Sequence, residues 1–328
     1  MPELSIVIPC YNEEGNISFL IERFSALASR LPAFEIIFVN DGSVDKTCER
    51  IRQLATRPLK FEVRLLELSR NFGHQKAILA GMRAARGACC VTIDADLQDP
   101  PETIVAMVEK WQNGFDVVLG QRNDRTTDTF FKRTTAAVFY KLMAYLTNGE
   151  FPPHVGDFRL VSRRVLDVLN NLNERSPYWR GLVNWVGYKR ALVQYKREAR
   201  FAGESKYNFV KMMLLALDAI FSFSKQPLYL SNLLGFITSL ISLLIIVTHL
   251  TMKIISTTSF VPGWMSLMAV ITFLGGIQLF CLGIVGQYIG RIFDQAINRP
   301  QVLSYDIEVI AGSELEMNQS PAIQKSLI

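Results

Sequence analysis

Residues 89–102 read CCVTIDADLQDPPE, an apolar run followed directly by a series of carboxylate and amide side chains. The run Cys89–Ile93 predicts a buried strand, because continuous apolar segments of this length are typical of parallel sheets with both faces covered. Asp94 and Asp96 follow this strand at once. Ligands of such sheets bind beyond the carboxyl ends of the strands, so the sequence predicts chemistry at this edge.

The same alternation of apolar strand and helix extends from Leu4 to Leu119. The other predicted strands are Leu4–Pro9, Glu35–Val39, Val63–Leu68 and Val117–Leu119. The predicted helices are Ile17–Leu31, a segment from about Asp45, Gln75–Ala85 and Pro101–Trp111. Strands that alternate with helices predict an α/β fold with a mostly parallel, Rossmann-like sheet.

Two long stretches near the C-terminus, residues 226–252 and 254–290, carry no Asp, Glu, Lys or Arg. Within them, Pro227–Leu250 and Trp264–Gly290 each exceed the roughly 20 apolar residues that cross a bilayer, which predicts two transmembrane helices. Basic residues lie before the first span and after the second, and Lys253 alone lies between them. The positive-inside rule therefore predicts that the large domain and the C-terminus are cytosolic.

Two amphipathic segments, Thr129–Leu146 and Asn208–Phe223, precede the spans. Their apolar stripes are compatible with packing on the sheet or with in-plane helices at the membrane interface. The predicted organisation is a cytosolic domain with interface helices at 1–225, a two-helix anchor at 226–292 and a cytosolic tail at 293–328. The tail after Pro300 is polar and mildly acidic, and we expect part of it to be disordered.

Several function classes are excluded by features that the sequence lacks. It has no G-x-G-x-x-G after the first strand and no G-x-x-x-x-G-K-[ST], which excludes a typical dehydrogenase and a P-loop ATPase. The net charge of +5 is too small to indicate nucleic acid as a partner. The five cysteines have no zinc-ligand spacing and predict reduced thiols. No signal peptide is predicted before Leu4.

Asp94 and Asp96 are two residues apart, a spacing that places strand side chains on one face. Paired carboxylates are hard oxygen ligands that suit Mg²⁺ or Mn²⁺, and a divalent ion here could neutralise a diphosphate leaving group. Gln98 could add an amide oxygen. The sequence therefore predicts a divalent metal site at the end of this strand.

The remaining motifs complete a resemblance to a known family. They are IVIPCYNEE at 6–14, VNDGS at 39–43, GDFRL at 156–160, RFAGESK at 200–206 and GQYIGRIFDQAINRP at 286–300. Together with DADLQDPPE at 94–102, they make the chain similar to family-two glycosyltransferases of the GT-A fold. The most similar branch contains dolichyl-phosphate mannose synthase and bacterial polyprenyl-phosphate glucosyltransferases. The resemblance covers residues 4–300 and leaves the tail outside.

The resemblance implies a role for each matched residue. The base and ribose of a nucleotide-sugar would be held by Pro9, Tyr11, Glu13 and Asp41. Asp94 would lie beside the nucleotide and sugar, and the metal ligands would be Asp96 and Gln98, with Asp94 next to them. The phosphates of donor and acceptor would be bound by Arg122, Arg133, Arg200, Ser205 and Lys206. Asp157 occupies the position of a catalytic base.

The chemistry of the acceptor favours a different role for Asp157. A phosphate monoester has its second pKa near 6, so the attacking oxygen is already largely ionised at pH 7. A base then has little proton to remove, and the harder task is to bring two anions together. We therefore interpret Asp157 as an orienting group and Arg200 and Lys206 as the cations that offset the repulsion. His74 is interpreted as structural or peripheral.

The implied reaction is transfer of a hexose to undecaprenyl or another polyprenyl phosphate, with inversion, at the cytosolic face of the inner membrane. Asn40 stands where mannose synthases usually carry aspartate, which favours UDP-glucose over GDP-mannose or a UDP-aminosugar. A processive polysaccharide synthase is disfavoured because Q-x-x-R-W is absent. A non-catalytic membrane scaffold is the alternative from another class, and a homo-oligomer is compatible with these features.

Overall fold

The structure, a computed structural model, describes residues 1–123, 155–172, 182–183, 185–198, 226–255, 263–297 and 299–312. The chain divides into two compact units, Met1–Tyr207 with Arg299–Ile328, and Asn208–Asn298. Both amphipathic segments lie outside the described residues, as do four predicted site residues: Arg133, Arg200, Ser205 and Lys206.

The first unit is built on an eight-stranded sheet. Its strands are β1 (Leu4–Cys10), β2 (Phe34–Asn40), β3 (Glu62–Glu67), β4 (Cys89–Thr92), β5 (Val117–Arg122), β6 (Val155–Ser162), β7 (Arg190–Tyr195) and β8 (Glu308–Ala311). Their order across the sheet is β7-β5-β6-β4-β1-β2-β3-β8. Neighbours pair in parallel except β6, which is antiparallel to β4 and β5, and β8, which is antiparallel to β3.

Helices cover the sheet on both faces, as the unbroken apolar strands predict. The helices of this unit are α1 (Ile17–Leu27), α2 (Thr47–Arg52) with a 3₁₀ turn at Gln53–Thr56, α3 (His74–Ala84), α4 (Thr103–Gln112) and α5 (Arg163–Asn170). α1 buries Leu20 and Phe24 on the core side. α3 lies close to β1, because a Cβ at Gly81 would come within 2.3 Å of Val7 Cγ1. The absence of a side chain at Gly81 thus permits this packing.

The α/β prediction is confirmed, and the predicted strands and helices up to Val117 agree with the structure within a few residues. Three strands were not predicted: β6, β7 and β8. β8 falls in the tail, where the sequence reading expected partial disorder. It pairs with β3 at the edge of the sheet, with Arg64 opposite Val309, and Tyr305 N donates to Glu67 O at 2.9 Å.

The second unit contains two long helices, α6 (Gln226–Ile255) and α7 (Trp264–Ile297). Among the described residues, Phe273–Ile297 is long and apolar enough to cross a membrane, with a mean hydropathy of 1.5. Its large apolar side chains are exposed, including Phe273 and Leu279. α6 supplies a shorter apolar stretch, Pro227–Ile241, so the first of the two predicted spans, Pro227–Leu250, is not confirmed.

A charged network lies at the amino ends of the strands. Glu35 at the start of β2 is fully buried, and its Oε2 accepts hydrogen bonds from Arg64 Nη1 and Arg86 Nη2, both at 2.9 Å. Its Oε1 accepts from Ser5 Oγ at 2.6 Å and from the Arg86 backbone N at 2.8 Å. We call these four residues the amino-end network. Burial alone would raise the pKa of Glu35, yet the bonds from Ser5, Arg86 and Arg64 leave it lowered.

Candidate active site

The carboxyl ends of three adjacent parallel strands meet at one edge of the sheet. β1 lies between β2 and β4, with Cys10 opposite Asn40. The loops after β1 and β2 are joined, since Asn12 N donates to Ser43 Oγ at 3.0 Å and Val44 N donates to Asn12 Oδ1 at 2.9 Å. This edge is where the sequence predicted the chemistry. The predicted donor-binding and metal-binding residues that the structure describes follow β1, β2 and β4, except Pro9, which lies near the end of β1.

The two carboxylates that follow β4 differ in environment. The strand ends at Thr92, and the residues from Ala95 to Leu97 form a turn in which Leu97 has a φ of 59°. Asp96 is buried, and its Oδ1 accepts from Gln98 N at 3.2 Å, whereas the Asp94 side chain is 29% exposed. Neither residue belongs to the strand, so the two-residue spacing of strand side chains does not apply to them.

Asp157 in β6 is buried within reach of both Arg159 and α3. Its Oδ1 accepts from Arg159 Nη2 at 2.9 Å, and its Oδ2 accepts from Gln75 Nε2 at 3.2 Å. Its backbone oxygen accepts a hydrogen bond from Thr92 Oγ1 in the neighbouring β4. The carboxylate is thus held on two sides by hydrogen-bond donors, which fixes its direction.

His74 lies between two of the acidic side chains. Its Nε2 is 3.5 Å from Asp94 Oδ1 and 3.5 Å from Asp157 Oδ2. The interpretation of His74 as peripheral is therefore wrong about its position. No sequence pattern indicated this position, because His74 comes before the predicted start of its helix and is far from both aspartates in the chain.

The start of α3 is set by Asp41. Its Oδ1 accepts from Phe72 N at 2.7 Å and its Oδ2 accepts from Gly73 N at 2.9 Å, and Gly73 has a φ of 96°. Burial raises the pKa of Asp41, and these two hydrogen bonds lower it only in part. In the described residues Asp41 therefore holds the loop that presents His74. Its assignment to the donor's base and ribose stays a prediction.

The other residues assigned to the donor lie along the end of β1. Pro9 is buried within the strand, and Tyr11 is 38% exposed beyond it. Glu13 is half-buried, and its Oε2 accepts from Asn16 Nδ2 at 2.6 Å. Tyr11 is thus placed to meet a ligand at this edge, while the Glu13 carboxylate braces the start of α1.

Four carboxylates gather at this edge, and we call Asp94, Asp96, Asp99 and Asp157 the carboxyl-end cluster. Burial raises the pKa of Asp94 to about 6; His74 opposes the rise, and Asp157, Asp99 and Asp96 add to it. Among the described residues no three His, Cys, Asp or Glu side chains are arranged to hold a metal ion by themselves. A Mg²⁺-type site often uses one or two carboxylates and completes its shell with substrate phosphates and water, so the residues fit a divalent ion bound with a diphosphate.

Arg122, the one predicted phosphate-binding residue that the structure describes, lies at the end of β5 opposite Tyr195 of β7. Its Nε donates to Tyr195 Oη at 3.1 Å, and its Nη2 is 3.6 Å from Asp99 Oδ1. Tyr195 Oη donates to the same Asp99 oxygen at 2.7 Å. No sequence motif indicated a role for Asp99 or Tyr195. Their proximity depends on the pairing of β5 with β7, which the sequence did not predict.

Relatives compared by sequence align with nearly the whole chain. The family model described as Glycosyl transferase family 2 matches residues 5–169. The uncharacterized glycosyltransferase YkcC of Bacillus subtilis is 44% identical over 310 residues, 93% of this chain and 95% of the relative. The SfII prophage-derived bactoprenol glucosyl transferase of Shigella flexneri is 42% identical over 306 residues, 92% of this chain and 97% of the relative. A solved glucosyl-3-phosphoglycerate synthase of Mycobacterium tuberculosis has a TM-score of 0.47 and 20% identity, covering 67% of this chain and 76% of that one.

Proposed function

Because the chain belongs to glycosyl transferase family 2, we propose that it transfers glucose from UDP-glucose to a polyprenyl phosphate. The family confirms the predicted glycosyltransferase activity and GT-A fold, and it argues against a non-catalytic scaffold. The donor, the acceptor and inversion at the anomeric carbon belong to the proposal.

One observation carries the choice of acceptor and sugar. The Shigella flexneri relative named a bactoprenol glucosyl transferase is 42% identical and aligns with 92% of this chain. A prophage homolog of that enzyme in Escherichia coli is 40% identical over 92% of the chain. Bactoprenol is a polyprenyl alcohol, and the predicted phosphate-binding arginines and lysine suit its phosphate.

A divalent cation, Mg²⁺ or Mn²⁺, fits the carboxyl-end cluster. Asp94, Asp96 and Gln98 would hold it together with the donor diphosphate. The pKa of Asp94 is raised by burial first and by the neighbouring aspartates second, and a cation would offset both effects. When bound, the ion supplies charge neutralisation for the leaving UDP. Mg²⁺ and Mn²⁺ share these oxygen ligands, so the proposal covers both.

The role proposed for Asp157 is orientation. In the reaction an acceptor phosphate oxygen forms a bond to the anomeric carbon, and the bond from that carbon to the UDP oxygen breaks. Asp157 accepts hydrogen bonds from Arg159 and Gln75, an arrangement that holds its carboxylate in one direction. Such a group can hold a sugar hydroxyl or a nearby cation. Arg200 and Lys206 would offset the repulsion between the two anionic substrates.

We further propose that α6 and α7 anchor the enzyme in the inner membrane, with the large domain and C-terminus in the cytosol. The exposed apolar surface of Phe273–Ile297 and the basic flanks support this topology. An impermeant thiol reagent applied to intact cells should label a cysteine introduced at Thr257 and not one at Asn123. Labelling of the Asn123 variant alone would overturn the topology.

The decisive experiment presents purified enzyme with a panel of radiolabelled nucleotide-sugars and undecaprenyl phosphate. We expect label from UDP-glucose to enter the lipid fraction. If the label entered the lipid from GDP-mannose or a UDP-aminosugar instead, the proposed donor would be wrong and the proposed acceptor would stand. Sugar release without lipid labelling, for every donor, would contradict the proposed acceptor.

A further inference from the structure

Three side chains from separate elements form a connected group beside the carboxyl-end cluster. Tyr195 Oη donates to Asp99 Oδ1 at 2.7 Å and accepts from Arg122 Nε at 3.1 Å. Arg122 Nη2 also lies 3.6 Å from the same Asp99 oxygen, which is an ion pair without a hydrogen bond. The tyrosine hydroxyl is therefore the link through which the carboxylate fixes the guanidinium.

This arrangement leaves most of the guanidinium donors of Arg122 for another ligand. Arginine carries five N–H groups in a planar fork. In the part of the chain that the structure describes, the Nε–H of Arg122 is the one that makes a hydrogen bond. The side chain as a whole is 28% exposed, so Arg122 is not sealed from solvent. A guanidinium held by one edge and open at the other suits bidentate binding of a phosphate.

Two glycines make room for the group. A Cβ at Gly120 would lie 3.0 Å from Tyr195 Cε1, and a Cβ at Gly156 would lie 3.0 Å from Arg122 Nη2. Contacts this short would push either side chain from its place. Gly156 directly precedes Asp157, so the guanidinium of Arg122 passes over the backbone of β6 next to the carboxyl-end cluster.

In the described part of the chain, Asp99 is buried with one of its two carboxylate oxygens unpaired. The residue is 1% exposed, and within the described residues its Oδ2 is buried without a hydrogen-bond partner. Buried carboxylate oxygens normally find donors, and exceptions are frequent at functional sites. Burial raises the pKa of Tyr195, and the charge of Asp99 raises it further, so the hydroxyl keeps its proton and donates it to Asp99.

We propose that Asp99 and Tyr195 are positioning residues that aim the Arg122 guanidinium at a phosphate group of the substrates. The inference rests on the proposed function, in which the substrates are a donor diphosphate and a lipid phosphate. Either could supply the phosphate, and KM measured separately for each substrate distinguishes them.

The test is Tyr195→Phe, which removes the hydroxyl and keeps the ring. The ring packs edge-on against Phe158 with centroids 5.4 Å apart, so the variant should fold. We expect KM for one of the two substrates to rise about tenfold, the size expected for one hydrogen bond to a charged group. The matched control is Tyr188→Phe, whose ring contacts Arg164 at 4.8 Å away from this group, and its KM values should not change.

A double-mutant cycle separates positioning from general destabilisation. Tyr195→Phe should have no further effect in an Arg122→Ala background, because the hydroxyl acts through Arg122. Additive losses, or unchanged KM for both substrates in Tyr195→Phe, would overturn the inference. The wild type, the two single variants and the double variant are also compared by equilibrium binding of UDP and of polyprenyl phosphate. If the wild type transfers no sugar to lipid, the proposed function fails, and the binding cycle still decides the inference.

Discussion

Buried carboxylates occur at both ends of the same sheet, and their surroundings are opposite. In the amino-end network, Glu35 receives hydrogen bonds from Ser5, Arg64 and Arg86, and its pKa is lowered despite full burial. In the carboxyl-end cluster, burial and the neighbouring aspartates raise the pKa of Asp94 to about 6. The fold compensates the negative charge of Glu35 and leaves that of Asp94 only partly compensated.

This difference separates stability from function in one domain. A compensated carboxylate stabilises the fold as long as both partners remain. A group of carboxylates with too little positive charge destabilises the folded protein until a cation or ligand arrives, and such groups are typical of functional sites. Substitutions at the two ends should therefore have opposite effects on stability and activity.

Removal of the divalent cation should have the largest effect. In EDTA we expect transfer to the lipid phosphate to fall to background, because the diphosphate leaving group is no longer neutralised. Added Mg²⁺ or Mn²⁺ should restore it. Asp96→Ala should stay inactive after the metal is restored. Full activity in metal-free buffer, or an unchanged rate for Asp96→Ala, would mean that the carboxyl-end cluster needs no cation.

Asp94→Asn should have the second-largest effect on the transfer rate. We expect the transfer rate to fall at least about a hundredfold, the scale for loss of one electrostatic contact to the reacting groups. In EDTA its Tm should equal or exceed that of the wild type, because one of the mutually repelling charges is gone. Glu109→Gln, an exposed carboxylate on α4, is the control and should match the wild type in rate and Tm. A lower Tm for Asp94→Asn would show that the cluster is compensated after all.

Glu35→Gln should show the reverse pattern, a lower Tm with an unchanged rate. The substitution leaves the buried Arg64 without its negatively charged partner, so we expect a destabilisation of about 3 kcal/mol, or roughly 6–12 °C in Tm. The rate per folded molecule at low temperature should be unchanged. Because the folded pKa of Glu35 is lowered from 4.5, its stabilisation is present above about pH 4.5 and is lost as the pH falls through the folded value. The Tm difference between wild type and variant should therefore narrow at acidic pH.

Asp157→Asn should lower the rate by roughly tenfold to a hundredfold, the worth of a charge-assisted hydrogen bond. If Asp157 orients, the remaining rate should show no steep rise above the second pKa of the acceptor phosphate, near 6. A general base would instead give a variant that recovers as the acceptor becomes dianionic unaided. Rate profiles of wild type and variant between about pH 6 and 9 decide between the two roles.

Arg52→Ala should have the smallest effect. Arg52 forms ion pairs with Glu67 of β3 and Glu308 of β8, but its side chain is 44% exposed. Exposed ion pairs contribute about 0–1 kcal/mol, so the Tm should fall by no more than roughly 4 °C. A fall in Tm as large as that of Glu35→Gln would mean that the difference in exposure between the Arg52 ion pairs and the amino-end network does not determine their contributions to stability.

The sequence predicted the parallel half of the sheet because β1, β2 and β4 are continuous apolar runs that end in polar clusters. It predicted the site at their carboxyl ends for the same reason. β7 and β8 were not predicted because both strands begin with exposed residues, Arg190 and Glu308, and lack a continuous buried apolar run. Such edge strands are defined by their pairing more than by their composition.

The site predicted from the sequence was incomplete for a related reason. Asp94, Asp96 and Asp157 belong to motifs that can be read from the sequence. His74 and Tyr195 reach the site only through the start of α3 and the register of β7 on β5. Such contacts depend on strand order, which local patterns do not determine.

The position of β8 has a consequence for biosynthesis. The strand that closes the edge of the sheet at β3 is encoded after α6 and α7, so a ribosome releases it only when both long helices have been made. Until then, the outer edge of β3 lacks its antiparallel neighbour, and unpaired edges favour aggregation. A gene shortened after residue 225 would yield a sheet with that edge permanently open. Recombinant versions of the large domain should therefore carry residues 299–312 joined back to it.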